Sequence, residues 1–295
     1  MALIVGGELS NNSISSVEVY SPEGGCQYSL QSLPLPLLGL TVGLTNNFVV
    51  ACSGYNTVTK LNNQRCWRYL FAQSAWQYSG NTLNSTKPNY PVQNYKNWLY
   101  FVNDRPGERI QYAPTYTEPW ATKPPTPLGD GACSVMWRDN MIIFGGANAS
   151  IVVQMFNFLT GNWSYMANMT YSRYSFGCTL LPDRNRVLVV STVPGGDENR
   201  AVIFDPRTNV WSITGRTINA RAGASLVTLG SRVFVIGGNS APSPTSLSAT
   251  VEEYDINTGT WSLVTTNLKG ARTNFGVLAL PATSFAHLAN GCKGV

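Results

Sequence analysis

One short, wholly apolar string recurs along this chain and sets the pattern of hydrophobic positions. It reads Ala2-Leu-Ile-Val-Gly-Gly7, Phe48-Val-Val-Ala-Cys-Ser53, Trp98-Leu-Tyr-Phe-Val-Asn103, Met141-Ile-Ile-Phe-Gly-Gly146, Val187-Leu-Val-Val-Ser-Thr192 and Val233-Phe-Val-Ile-Gly-Gly238. A string returning every 43–50 residues means one supersecondary unit copied in series. A second landmark follows each string, an aromatic with Trp seven residues later: Tyr69 and Trp76, Phe156 and Trp163, Phe204 and Trp211, Tyr254 and Trp261. The third unit stretches this spacing by one residue, from Tyr112 to Trp120, and the first has Gln27 in place of Trp. Between the landmarks lie turn strings such as Asp205-Pro-Arg-Thr-Asn209 and Asp255-Ile-Asn-Thr-Gly259, which predict tight hairpins. A further apolar run with small residues precedes each string, so each unit reads as four short antiparallel strands, a to d. The repeated string is strand b.

The apolar run ending in Gly-Gly, the aromatic-to-Trp spacing of seven and the turn between them resemble the kelch-repeat family, over essentially all 295 residues. Units four and six match best, whereas Cys52-Ser53, Val102-Asn103 and Ser191-Thr192 stand where the Gly pair is expected. The resemblance implies an all-β fold, a six-bladed β-propeller in a single domain. The phase of the repeat puts the blades at roughly 2–36 with 272–280, 37–87, 88–127, 128–171, 172–220 and 221–270. The first blade has no strand a ahead of Ala2, and Phe275-Gly-Val-Leu-Ala-Leu280 has no blade after it. That segment is expected to supply the missing inner strand and close the ring, leaving 281–295 as a tail.

Charged residues make up 12% of the chain and hydrophobic ones 43%, which argues for a substantial core and against disorder. No run of 18 apolar residues predicts a membrane span, and no signal peptide is visible ahead of the first strand. Sequons at Asn11, Asn84, Asn148, Asn162 and Asn168 fall in predicted loops and turns. With six cysteines, an even number, they predict a secreted, disulfide-bonded glycoprotein. Cys52 and Cys66 are placed to clip strands b and c of one blade. Cys133 and Cys178 lie in the inner strands of successive blades with opposite parity and can face one another. Cys26 and Cys292 remain. Six cysteines allow 15 pairings, so this connectivity is an expectation, and Cys133 and Cys178 read equally well as buried thiols.

Candidate chemistry is sparse. The single histidine, His287, lies in the tail, and no Cys-X-X-Cys or phosphate-loop spacing occurs. Glu252 and Glu253, adjacent on a strand, point to opposite faces and cannot act as a pair. These observations predict no enzyme, no metal and no cofactor. They predict instead a non-catalytic protein-binding or scaffolding propeller within a larger extracellular assembly. A lectin-like glycan binder and an intracellular kelch substrate adaptor are the alternatives.

Long b–c and d–a loops gather on one face, where binding residues are expected. Basic residues there include Arg105, Arg109, Arg173, Arg200, Arg216, Arg221 and Arg272. Arg173, Arg221 and Arg272 recur just ahead of strand a, and the resemblance implies arginines ringing the channel mouth that hold acidic peptides. The same residues can instead bond loop carbonyls and stiffen the ring. With Asn11, Asn84, Asn148 and Asn168 glycosylated, the open sector is blades five and six, with blade three as an extension: Arg200, Arg216, Arg221, Arg272 and the loop from Ser240 to Ser248. The charge, +5, is too dilute to predict nucleic-acid binding.

Overall fold

A computed structural model describes residues 1–24, 27–45, 48–83, 91–102, 108–114, 121–126, 131–146, 151–173, 175–190, 199–239 and 246–281. The chain is an all-β propeller. Among the described residues six four-stranded antiparallel sheets form, with two small hairpins at Glu8–Ser13 and Tyr55–Asn62. The inner strands are Gly276–Ala279, Thr41–Leu44, Val92–Tyr95, Cys133–Trp137, Gly177–Leu180 and Ser225–Leu229, in the order of blades one to six. Each packs against the inner strands of both neighbouring sheets, and the circuit closes on itself. Closure uses the last strand of the chain: Gly276–Ala279 pairs antiparallel with Ala2–Val5, Leu278 opposite Leu3 and Val277 opposite Ile4.

The b strands are apolar at consecutive positions because both of their faces are buried. In blade one, Ala2 and Ile4 pack towards blade six, in a cluster with Phe234, Ile236 and Val251. Leu3 and Val5 pack towards blade two, with Val42, Val49 and Ala51. The same division holds in Phe48–Cys52, where Val49 and Ala51 face one neighbour and Phe48, Val50 and Cys52 the other. Each such side chain contributes roughly 1.5–3 kcal/mol on burial, and no blade can gain this alone.

The aromatic-to-Trp landmark is a cross-strand pair. Phe204 stands opposite Trp211 and Tyr254 opposite Trp261, with ring centroids 4.7 and 5.0 Å apart. Each Trp also reaches backwards, the indole N–H of Trp211 donating to Ala167 O (2.9 Å) and that of Trp261 to Gly215 O (3.0 Å) in the preceding blade. In blade one the Gln27 amide substitutes for the indole, donating to Asn267 O at 2.8 Å. The turns between these strands are held as their composition predicts. Asp205 Oδ1 accepts from the N–H groups of Arg207 and Thr208, Asp255 Oδ1 from those of Asn257 and Thr258. In blade three Tyr112 stands opposite Ala121, and Trp120 lies outside the described residues.

Registers correct the phase of the second repeat. Cys52 pairs with Thr41 as Val5 pairs with Gly276, so the true equivalent of Ala2–Gly7 runs from Val49 to Gly54. The positive φ angles of Gly6 and Gly7 (61° and 108°) recur at Ser53 and Gly54 (64° and 103°). Cys52 therefore ends the strand and does not replace a family glycine. The pair is small because the next blade's strand lies on it: a Cβ on Gly237 would come within 2.8 Å of Arg272 O and of the Phe275 ring.

Candidate functional site

Two structures meet at the b–c and d–a face: a girdle around the channel mouth and a pair of hairpins standing beyond it. Among the described residues the girdle is made by one left-handed residue just ahead of five of the six inner strands, Gly39, Gly131, Ser175, Gly223 and Asn274, all with φ between 51° and 68°. The backbone N–H of Ser175 donates to Gly131 O, that of Gly223 to Ser175 O, that of Asn274 to Gly223 O, and that of Gly39 to Asn274 O. Bonds of 2.7–3.2 Å thus join blades four, five, six, one and two along the mouth. Ser175 Oγ also reaches Asn274 Oδ1 (3.4 Å), two blades away, which narrows the opening. The sequence signal for it is a Gly, Ser or Asn two places ahead of the inner strands of blades one, two, four, five and six.

Below it runs a cavity of about 480 Å³ lined by the six inner strands. Among the described residues its lining carries no charged side chain. Several of its polar groups are tied across blade junctions: Gln93 to Ser134 (2.8 Å to the carbonyl), Thr179 to Thr228 (3.0 Å), Ser225 to Phe275 O (3.3 Å). The channel wall is therefore uncharged over the described residues.

The recurrent arginines require the largest correction. Arg173, Arg221 and Arg272 are 0%, 1% and 4% exposed, and their guanidinium groups lie inside the blades. Arg221 donates to Glu252 Oε1 through Nε and Nη2 (3.1 and 2.9 Å), and also to Gly237 O and Thr250 O. Arg272 reaches Glu18 at 3.2 Å and Gly6 O at 3.3 Å. Burial lowers the pKa of both arginines, and the paired carboxylates oppose the shift. The alternative reading, arginines that stiffen the ring, describes both. They cannot hold a ligand without surrendering these bonds.

Register shows what the position accepts. Glu252 and Glu18 stand opposite Val235 and Ile4, and the matching residues of strand c are Trp67, Gln154 and Val202. Blade two fills the site without charge, burying Leu37 against the cluster that holds Trp67. Blade five keeps the arginine but places Val202 where the carboxylate would be. Arg173 donates to Arg200 O (3.2 Å), and burial followed by repulsion from Arg200 pushes its pKa down to about 10.

Of the remaining candidates, Arg200 stacks on Tyr171 (4.5 Å) and donates to its hydroxyl (2.7 Å). Arg216 is exposed and donates to Asn199 Oδ1 (3.0 Å). These two lie near one another in blade five. Arg105, with most of the 240–248 loop, lies outside the described residues; Arg109 falls in the strand Glu108–Pro114. Asn11, Asn162 and Asn168 are exposed, whereas Asn84 and Asn148 fall outside the described residues, as do Cys26 and Cys292. Cys52 is bonded to Cys66 within blade two, and Cys133 to Cys178 across the junction of blades four and five. Among the described residues no three His, Cys, Asp or Glu side chains gather as a metal site would require. None of the described helices is long and apolar enough to cross a membrane.

The hairpins were missed in the sequence. Glu8–Ser13 and Tyr55–Asn62 fold out of the b–c connections of blades one and two. They are joined side by side: the Ser13 N–H donates to Thr57 Oγ1 (2.8 Å), and the Thr57 N–H to Ser13 Oγ (3.1 Å). They expose Leu9, Val58 and Leu61 at 41%, 73% and 66%.

Residues 220–267, the sixth blade, match the Kelch motif family model. The sixth blade therefore carries a kelch motif. The chain is similar to two F-box/kelch-repeat proteins of Arabidopsis thaliana. One is 28% identical over 176 residues, covering 54% of this chain and 49% of the relative. The other is 24% identical over 160 residues, covering 54% and 42%. The matches therefore span about half the length of these relatives or less.

Proposed function

We propose that this chain is a non-catalytic, protein-binding scaffold, a closed six-bladed ring that presents its b–c and d–a face to a protein partner. The observation that carries this reading is the joined pair of hairpins. Three large apolar side chains are held in solvent by bonded backbone on a rigid ring, an arrangement that favours recognition over packing. Arg216, exposed at the same face in blade five, supplies a cation for an acidic segment of that partner. The setting proposed is extracellular, supported by two disulfides and three exposed sequons. A sugar on Asn11 would stand on the same hairpin as Leu9, so docking requires that site bare while Asn162 or Asn168 is occupied.

A second reading, an intracellular substrate adaptor, is favoured by the F-box/kelch-repeat names of the two similar proteins. Intact mass before and after reduction separates the settings, since only the first keeps its disulfides and sugars in the native source. The binding reading is tested with Val58→Asp/Leu61→Asp. Both side chains are exposed, so melting should be unchanged while capture of the native partner falls at least ten-fold. Undiminished capture by this variant would overturn the assignment.

A further inference from the structure

We propose that the Cys133–Cys178 bond is a site of reversible exchange with a small-molecule thiol that enters through the central channel. The two disulfides sit in different surroundings. Cys52 and Cys66 are directly opposed on neighbouring strands inside blade two, 0% and 1% exposed, and neither lines the channel. Cys133 and Cys178 both line it, and Cys133 is only half-buried.

Their meeting follows from how the inner strands nest. At the first position of strand a, a side chain points to the second position of the next blade. A Cβ on Gly177 would come within 2.5 Å of Leu226, and one on Gly276 within 2.7 Å of Val42. Cys133 and Cys178 occupy these two positions at the junction of blades four and five, so a disulfide replaces a packing contact there. Strands of four or five residues give a channel roughly 15 Å deep. Cys133 is two residues inside the girdle residue Gly131, or about 7 Å from the mouth. A small thiol can pass to that depth, whereas the active-site cysteine of a folded reductase is held outside. The uncharged lining neither traps nor repels an anionic thiol.

In the exchange, a small thiolate attacks Sγ of Cys133, the less buried of the two residues. The Cys133–Cys178 bond breaks, Cys178 leaves as a thiolate and takes a proton from water, and Cys133 carries a mixed disulfide. A second thiol displaces Cys133 as its thiolate, forming the small-molecule disulfide and completing a two-electron reduction. Blades four and five stay joined by their shared core around Phe144, Phe176 and Phe204 and by the bond from Ser175 N–H to Gly131 O. The ring can therefore lose and regain this tie while folded.

The test is differential alkylation of the whole native chain in reduced glutathione, followed by peptide mass measurement. Cys133 and Cys178 should be labelled at least ten-fold faster than Cys52 and Cys66, with a glutathione adduct on Cys133. Amide exchange should rise in Cys133–Trp137 and Gly177–Leu180 and stay unchanged in Phe48–Cys52. A protein reductant of the thioredoxin class should be at least ten-fold slower at the same bond. Equal labelling of the two pairs, labelling that rises only with urea-induced unfolding, or equal speed with the protein reductant would each overturn the proposal.

Discussion

Glu252→Ala is expected to destabilise the propeller by about 3–5 kcal/mol, because it leaves the Arg221 guanidinium buried without its charge partner. The two side chains are 1% and 0% exposed, so solvent cannot replace the lost carboxylate. The backbone suffers too, since Glu252 also accepts from the N–H groups of Ile218 and Asn219 (2.7 and 3.0 Å), which lead into the sixth blade. The double variant Arg221→Leu/Glu252→Met should behave differently. It removes both charges together, and blade two already shows that Leu37 and Trp67 fill the same place. Recovery of more than half of the loss in urea denaturation is the expected outcome. A double variant no more stable than Glu252→Ala would mean that the ion pair positions the blade in a way apolar packing cannot reproduce.

That comparison also shows why the arginines admit two readings in the sequence. Their recurrence ahead of strand a is plain there, but their partners are not. Glu252 lies 31 residues from Arg221, and Glu18 lies 254 residues from Arg272, across the closure of the ring. Only the register of strands a, b and c brings them together. Closure itself was legible, because the missing strand a and the unused Phe275–Leu280 run are both local patterns. So was the facing of Cys133 and Cys178, which follows from strand parity. The phase of the second repeat was not. Phe48 extends the apolar run by one residue, and hydrophobicity alone cannot decide which residue begins the ladder. The hairpins escaped because their strands are two residues long, below the length at which alternation carries any signal. A repeat therefore announces its scaffold far more clearly than its binding face, whose residues are those that break the repeat.

The girdle makes the second strong prediction. Gly223 has φ of 60°, its N–H donates to Ser175 O, and its carbonyl accepts from Asn274 N–H. A Cβ built there would lie 2.2 Å from Thr273 Oγ1 and 2.9 Å from Asn274 Oδ1. Gly223→Ala therefore meets two costs, the left-handed backbone at about 1–2 kcal/mol and overpacking at about 1–3 kcal/mol. Gly230→Ala isolates the first. Its φ is 63°, and nothing lies within 4 Å of the added carbon. The expected order in thermal or chemical denaturation is a loss of about 1 kcal/mol for Gly230→Ala and about 3 kcal/mol for Gly223→Ala. Amide exchange should rise at Asn274 and Gly39 in the second variant alone, because the blade-to-blade bonds run through Gly223 to them. Equal losses in the two variants would mean that Thr273 and Asn274 give way freely, and that the girdle follows the ring's shape without helping to hold it.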